Sequence, residues 1–392
     1  MRSATLNLSR LGPIPSAKID FGDLTVFTGP QATGKSVALQ TLKLALDQAS
    51  IVRTMHDQGL VWDNRGRFLD HFFGEGMRSL WSQNTSVSLD GRPWRYSELK
   101  SPRSEAVQQA FERVSYVPAQ RVMSLQTGWT RPFSDYKAGD PYVLREFSQR
   151  IHEIVQGELS RSDVLFPHSQ RFNSALRNVV TEHVLRGFQL EVDSATGQKR
   201  FVIRDGRGDP NQTPSLPFLT WSAGQREFVP LLLGLYRLMP PSRVPRRGHL
   251  EWAVIEEPEM GLHPRAIAAT MAFVLELVRR GYRVVVSTHS TQVLDVIWGL
   301  KQLQQVEGEP SDVLRMINLR NAAQDLGKSA LSADLRTYFF DRDAPVVDIS
   351  ELDPGSERPV ESGWGGIAGF SGHVADVVAD VVIRKRSREH VG

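Results

Sequence analysis

The sequence predicts an α/β fold built around a parallel sheet, and three observations carry that prediction. Leu24–Thr28 is a β-rich run that leads directly into Gly29-Pro30-Gln31-Ala32-Thr33-Gly34-Lys35-Ser36 and then a run of good helix formers. Residues 251–255 and 283–287 are compact β-branched runs on either side of a helical pattern at 265–279, the alternation expected when helices join parallel strands. With 392 residues, 40% hydrophobic and 23% charged, the chain can bury a core and is neither mainly disordered nor collagen-like.

Taken in order, residues 4–8 read as an opening strand, and the helix from Lys35 puts Leu39, Leu42 and Leu46 at core spacing. Residues 84–100 read as a hairpin turning at Asp90-Gly91, and 113–118 as another strand. Between 142 and 186, two helical patterns flank Phe166-Pro167 and carry Arg145, Arg150, Arg161, Arg171, Arg177 and Arg186, a small helical insertion. Residues 190–203 alternate about Ala195-Thr196-Gly197 as a hairpin, and 228–238 form an apolar helix. Residues 315–319 and 336–340 are read as further strands, and 371–383 as a last helix ahead of a basic tail at 384–388. The expected organisation is a first lobe at 1–130, the insertion at 131–186, a hairpin returning to the first lobe at 187–215, and a second lobe at 216–392.

Charge and cysteine narrow the chemistry. Of 47 basic residues 38 are Arg, so the surface cations are mostly planar guanidinium forks suited to phosphate or carboxylate partners. The absence of Cys excludes disulfide scaffolds, thiol catalysis and Cys-ligated metal sites, and fits a reducing compartment. No stretch reaches the roughly 18 apolar residues of a membrane span, and the N-terminus lacks an apolar signal core, which predicts a cytoplasmic protein with no membrane partner.

The motif at 29–36 lies between a predicted strand and a predicted helix, the context a phosphate-binding loop requires. Its glycines let backbone N–H groups turn inward, the helix N-terminus adds positive potential, Lys35 reaches the β- and γ-phosphates, and Ser36 ligates Mg²⁺. Gly29, Pro30, Gln31, Ala32, Thr33, Gly34, Lys35, Ser36 and Val37 are the expected ATP-binding residues. Trp252-Ala253-Val254-Ile255 runs into Glu256-Glu257-Pro258-Glu259. Two adjacent carboxylates ending a buried strand divide the work, Glu256 toward the metal and Glu257 as the base for the attacking water. Ser222, Ala223, Gly224 and Gln225 open the apolar helix and offer a second anion-binding end. Ser287-Thr288-His289-Ser290 ends another strand with a polar cluster, in which His289 is placed to donate to a phosphate or order the water.

In that order these motifs resemble the Walker A, signature, Walker B and switch-histidine elements of ABC-type ATPases. More narrowly, Glu256-Glu257-Pro258-Glu259 with Gly261-Leu262-His263-Pro264, Ser287-Thr288-His289-Ser290, and Tyr116-Val117-Pro118-Ala119 resemble the stand-alone prokaryotic AAA ATPases related to SMC, RecF and the OLD family. The resemblance implies a P-loop NTPase of two-lobed ABC-ATPase or SMC-head type that binds ATP and Mg²⁺. It implies that Ser222 and Gly224 act in trans on a partner's nucleotide, so that a homodimer or higher oligomer is needed. It also offers Gln120 as a glutamine sensing Mg²⁺ and water, with Gln108 and Gln109 as competitors. Val37 and Ala223 depart from the family pattern: the first gives the α-phosphate only its N–H, and the second brings a methyl to the trans phosphate. The implied role is an ATPase sensor or motor for a separately encoded effector, a nuclease or toxin, in anti-phage defence. The alternative is a RecF/SMC-like clamp on DNA, for which the Arg-rich insertion and the basic tail speak; a scaffold binding ATP without turnover is the third. Glu259 with His263 as metal ligands, and Asp341 with Asp343 as a built-in nuclease pair, are the readings set aside.

Overall fold

The computed structural model describes residues 4–99, 101–168, 170–194, 197–209, 212–241, 246–319 and 324–364. The expected helix at 371–383, the basic tail, Arg243 and the turn residues Ala195 and Thr196 lie outside them. A six-stranded sheet runs in the order Val347–Asp348, Leu335–Phe339, Leu24–Thr28, Arg283–Ser287, Trp252–Glu256, Val114–Val117. Its pairings are parallel except for the antiparallel edge made by Val347–Asp348. Leu24–Thr28 and Trp252–Glu256 are buried at every position, as strands covered on both faces must be. Register sets Glu256 opposite Ser287, Ser287 opposite Phe27, and Phe339 opposite Thr28. The segments that follow these strands therefore leave from one rim, the carboxyl end where parallel sheets hold ligands.

The strand expected at 336–340 is present as Leu335–Phe339, beside Leu24–Thr28. The strand expected at 315–319 is not: Pro310–Met316 is a helix. Pro310 starts it, Glu309 and Asp312 close a capping box, and buried Val313, Leu314 and Ile317 fall on one helical face. The hairpin at Asp90-Gly91 forms, with both residues at positive φ, but its second arm is only Arg92–Pro93.

An antiparallel sheet in the order Ile14–Phe21, Ala4–Leu11, Trp81–Leu89, Arg92–Pro93 shares one core with the helix Lys35–Asp57. Leu39 and Leu42 are fully buried there, and Leu46 packs at the margin. The larger core gathers the helices Tyr142–Gln156, Ser174–His183, Ala223–Leu238 and Pro264–Arg279. A third sheet, Leu216–Pro217, Arg200–Asp205, Phe188–Asp193, Val164–Phe166, joins them. None of the helices among the described residues is long and apolar enough to cross a membrane.

A buried ionic cluster ties these parts together. Lys43, in the Lys35–Asp57 helix, lies 3.0 Å from Asp47, 2.7 Å from Glu146 and 3.6 Å from Glu112, and donates to the Val114 carbonyl. Glu112 also meets Arg150 at 3.1 Å and Arg237 at 2.8 Å, so three cations face three carboxylates. Burial works against the Lys43 charge, but Glu146, Asp47 and Glu112 outweigh it and hold the ammonium above the usual lysine range. Asp47 completes the link by accepting from the Arg113 and Val114 N–H groups at the start of the edge strand Val114–Val117. Removing one partner of such a cluster leaves uncompensated buried charge. Lys43→Met should lower the unfolding free energy by about 3–5 kcal/mol, read from urea denaturation followed by circular dichroism. A change below about 1 kcal/mol would show that the cluster is dispensable.

Candidate functional site

The loop 29–36 leaves Leu24–Thr28 and enters the helix Lys35–Asp57 at the carboxyl rim of the sheet. Gly29 is required twice over: its φ is +134°, and a Cβ there would sit 2.0 Å from the Phe340 carbonyl oxygen of the adjacent segment. The loop folds on itself, Thr33 Oγ1 donating to the Pro30 carbonyl at 2.8 Å. Lys35 folds back as well, its Nζ donating to the Gly29 and Pro30 carbonyls at 2.8 and 2.6 Å. Burial brings this amine down to about 8, although Glu257, Glu259 and Glu256 pull the other way. Gln31, Ala32 and Ser36 remain exposed.

Glu256 is the last residue of its strand and is buried. Its Oε2 accepts the Ala119 N–H at 2.9 Å, whereas Oε1 is a buried oxygen with no hydrogen-bond partner. Burial raises this carboxyl above the ordinary glutamate range; the Ser36 hydroxyl, the Ala119 N–H and the Tyr116 hydroxyl counteract it. A buried carboxylate oxygen without a partner, close to an exposed serine hydroxyl and a lysine, suits a hard divalent cation such as Mg²⁺. The residues expected to hold the metal therefore fit it.

Glu257 turns out of the strand at φ +43°, a left-handed conformation that is costly for a residue with a Cβ. Its N–H donates to the Ser287 carbonyl at 2.9 Å, and its Oε1 lies 3.5 Å from His289 Nε2. His289 is held by Glu259, whose Oε1 accepts both the His289 N–H at 2.8 Å and the Thr288 hydroxyl at 2.7 Å. Burial, with Lys35 nearby, keeps the imidazole below the usual histidine range and so favours its neutral form. Glu259 is thereby engaged, and His263 caps the helix Pro264–Arg279; among the described residues no cluster of metal-ligating side chains forms.

Ser222 is the N-cap of Ala223–Leu238 in a reciprocal capping box with Gln225. The serine oxygen accepts from the Gln225 N–H, which leaves its own O–H available, and Ser222 and Ala223 are exposed. Gly224 packs against the segment after the acidic strand, where a Cβ would come 2.8 Å from the Gly261 carbonyl oxygen. Gln120 is exposed at the residue after Ala119, one position from the N–H that holds Glu256.

Lys35, Ser36, Glu256, Glu257 and His289 thus converge on one rim, with the start of the helix Ala223–Leu238 joined to it through Gly261 and through a residue the sequence reading missed. That residue is Arg121, buried and bonded to the Glu256 and Glu257 carbonyls. A cation directly after the strand that neighbours the acidic one was the available signal. Glu259, which anchors the 287–290 segment, was read only as a candidate metal ligand.

Residues 84–295, more than half of the chain, match the model of the family described as AAA domain, putative AbiEii toxin, Type IV TA system. Among solved structures, the chain is similar to an SMC head domain from Thermotoga maritima at 12% identity and TM-score 0.32, over 89% of this chain and 99% of that one. It is similar to an SMC head bound to the C-winged helix domain of ScpA at 11% identity and TM-score 0.37, over 89% and 97%. An Smc head domain with an extended coiled coil, bound to the C-terminal domain of ScpA derived from Pyrococcus furiosus, matches at 11% identity and TM-score 0.33, over 88% and 96%. No curated protein matches the chain by sequence.

Proposed function

The chain belongs to the AAA-domain family whose description names putative AbiEii toxins, and is an ATPase; from that premise we propose that it binds Mg·ATP at residues 29–37 and hydrolyses it with Glu257 as general base. The observation that carries this reading is the convergence of Ser36, the unpartnered Oε1 of Glu256, and the Glu257–His289 pair on the rim beside Lys35. Bound Mg²⁺, held by Ser36 and Glu256, would offset charge on the β- and γ-phosphates. Lys35 exchanges its two carbonyl partners for phosphate oxygens. A water next to Glu257 attacks the γ-phosphorus, the bond to the β-phosphate oxygen breaks, and the water's proton passes to the Glu257 carboxylate. His289, neutral, orders that water or donates to the γ-phosphate. Ser222 and the Gly224 backbone serve the nucleotide of a second copy in a head-to-tail dimer, and Gln120 stands near the metal side.

We place this ATPase as the sensor or motor subunit of a separately encoded nuclease or toxin in anti-phage defence, a reading that the family's toxin–antitoxin description supports. One feature favours the second reading, an ATP-controlled clamp on nucleic acid: a cavity of about 930 Å³, lined by Arg92, Arg113, Arg246 and Arg283 together with Asp90 and Glu251. It opens by Trp252 and Arg283, at the opposite end of the strands from the phosphate loop.

Glu257→Gln should cut ATP turnover by about 10²–10⁴-fold while leaving nucleotide binding intact, measured by phosphate release and fluorescent-nucleotide titration. It should also accumulate ATP-bound dimers in light scattering; turnover equal to the wild type would refute the assignment. The pH dependence of binding follows from Lys35. The free amine is charged below about 8, and bound phosphate raises its proton affinity, so affinity is full at neutral pH and declines as pH rises through 8. ATP affinity should fall about tenfold between pH 7 and 9, and Lys35→Met should remove that dependence. The clamp reading requires ATP-stimulated DNA binding that weakens steeply with added salt; binding that is absent or indifferent to salt eliminates it.

A further inference from the structure

Arg121 has no exposed surface, although it carries a charge that is costly to bury without partners. It lies in a short turn just beyond Val114–Val117. Its guanidinium donates from Nη1 to the Glu256 carbonyl at 2.9 Å, from Nη2 to the Glu257 carbonyl at 3.0 Å, and from Nε to the Glu227 carbonyl at 3.1 Å. The Glu227 carboxylate is 3.7 Å from Nε. Its positive charge is therefore balanced from the signature helix Ala223–Leu238 and from the carboxylates at 256, 257 and 259.

The geometry of the fork is specific. The carbonyls of Glu256 and Glu257 belong to the two peptide groups flanking the Glu257 Cα, so pinning both sets φ and ψ of that residue. The fork adds to two backbone bonds on the same peptide groups, the Glu257 N–H to the Ser287 carbonyl and the Met260 N–H to the Glu257 carbonyl, and together they keep a glutamate at φ +43°. The third bond runs to the early part of the signature helix, whose exposed Ser222 end lies one turn away. A planar guanidinium holds three acceptors in fixed directions, whereas the point charge of a lysine on a flexible stem does not.

We propose that Arg121 is a positioning residue of the ATPase site: it locks the Glu257 backbone in the conformation that aims its carboxylate at the reacting water, and it ties that aim to the position of the signature helix. This rests on Glu257 being the general base. A movement of the signature helix, such as engagement of a partner's nucleotide at Ser222, would reach Glu257 through one side chain without crossing the nucleotide pocket.

The test compares full-length wild type, Arg121→Lys, Arg121→Met and Glu257→Gln in steady-state ATPase assays and fluorescent-ATP binding. The expected result is a kcat lowered about 100-fold in Arg121→Lys with KM and nucleotide affinity within about twofold, the split expected when a reacting group is misaimed and the binding loop is untouched. Arg121→Met should show the same split wherever it folds. A kcat for Arg121→Lys within about twofold of wild type overturns the proposal, as does a parallel loss of binding and turnover. Loss of folded protein in both variants, read by circular dichroism, would make Arg121 a folding residue and overturn it too. Normal turnover by Glu257→Gln refutes the base assignment and this inference with it; a dead Glu257→Gln beside a normal Arg121→Lys refutes this inference alone.

Discussion

Six charges gathered among four elements, only Arg150 and Arg237 of them partly exposed, fix where the phosphate loop points. Lys43 and Asp47 belong to the helix that the loop opens, Glu112 precedes an outer strand of the central sheet, Glu146 and Arg150 lie on Tyr142–Gln156, and Arg237 lies on the signature helix. Each charge alone would be costly in such a place, and only the three-against-three arrangement makes the set tolerable. The consequence is geometric. A helix anchored near its middle to a strand and to the helices Tyr142–Gln156 and Ala223–Leu238 cannot tilt independently, so its N-terminus stays at the rim where the acidic strand ends. The antiparallel sheet packs on the same helix through apolar contacts, which supply burial without fixing direction.

On that platform the site is built to be completed by its ligand. Lys35 folds back on the Gly29 and Pro30 carbonyls, and burial weakens its charge. Opposite it, Glu256 Oε1 has no partner, and Glu257 has only a loose contact with His289 at 3.5 Å. An ammonium without a full countercharge and a carboxylate oxygen without a donor are complementary deficits. In the proposed function Mg·ATP would resolve both at once, which would tie affinity to the pair of ligands more than to either one.

How much of this was legible in the sequence depended on the distance between cause and effect. The loop 29–36, the acidic pair and the 287–290 run are local patterns at strand ends, so their chemistry can be read from consecutive residues, and parallel register then brings them together. The helical nature of 310–316 was obscured because its signal lies in capping residues and Pro310 ahead of the segment read as a strand. Arg121 and, beyond its i,i+4 pair with Asp47, the Lys43 cluster were invisible for a different reason. Their partners are 106 to 136 and 71 residues away, respectively, for the bonds to Glu227, Glu256, Glu257 and Val114, and no periodicity records such contacts. The Arg residues of 142–186 illustrate the same point: Arg150 and Arg171 are spent on Glu112 and Glu158, so a run that suggested a nucleic-acid surface is partly internal glue.

The two departures at Val37 and Ala223 can now be weighed against the geometry. Val37 packs at the edge of the antiparallel-sheet core, so this position serves apolar contact, and in the proposed ATP site it would offer a phosphate only its N–H. Ala223 is exposed at the N-terminus of Ala223–Leu238, and its methyl adds bulk on the solvent side, where a second copy would approach in the proposed dimer. Gly224, by contrast, faces inward onto the Gly261 carbonyl and has no room for a side chain. Gly224 is thus demanded by packing within the chain, whereas position 223 lies at the exposed surface and tolerates a methyl. In the proposed head-to-tail dimer any cost of that methyl therefore falls on assembly and turnover, while the fold within one chain is left as it is.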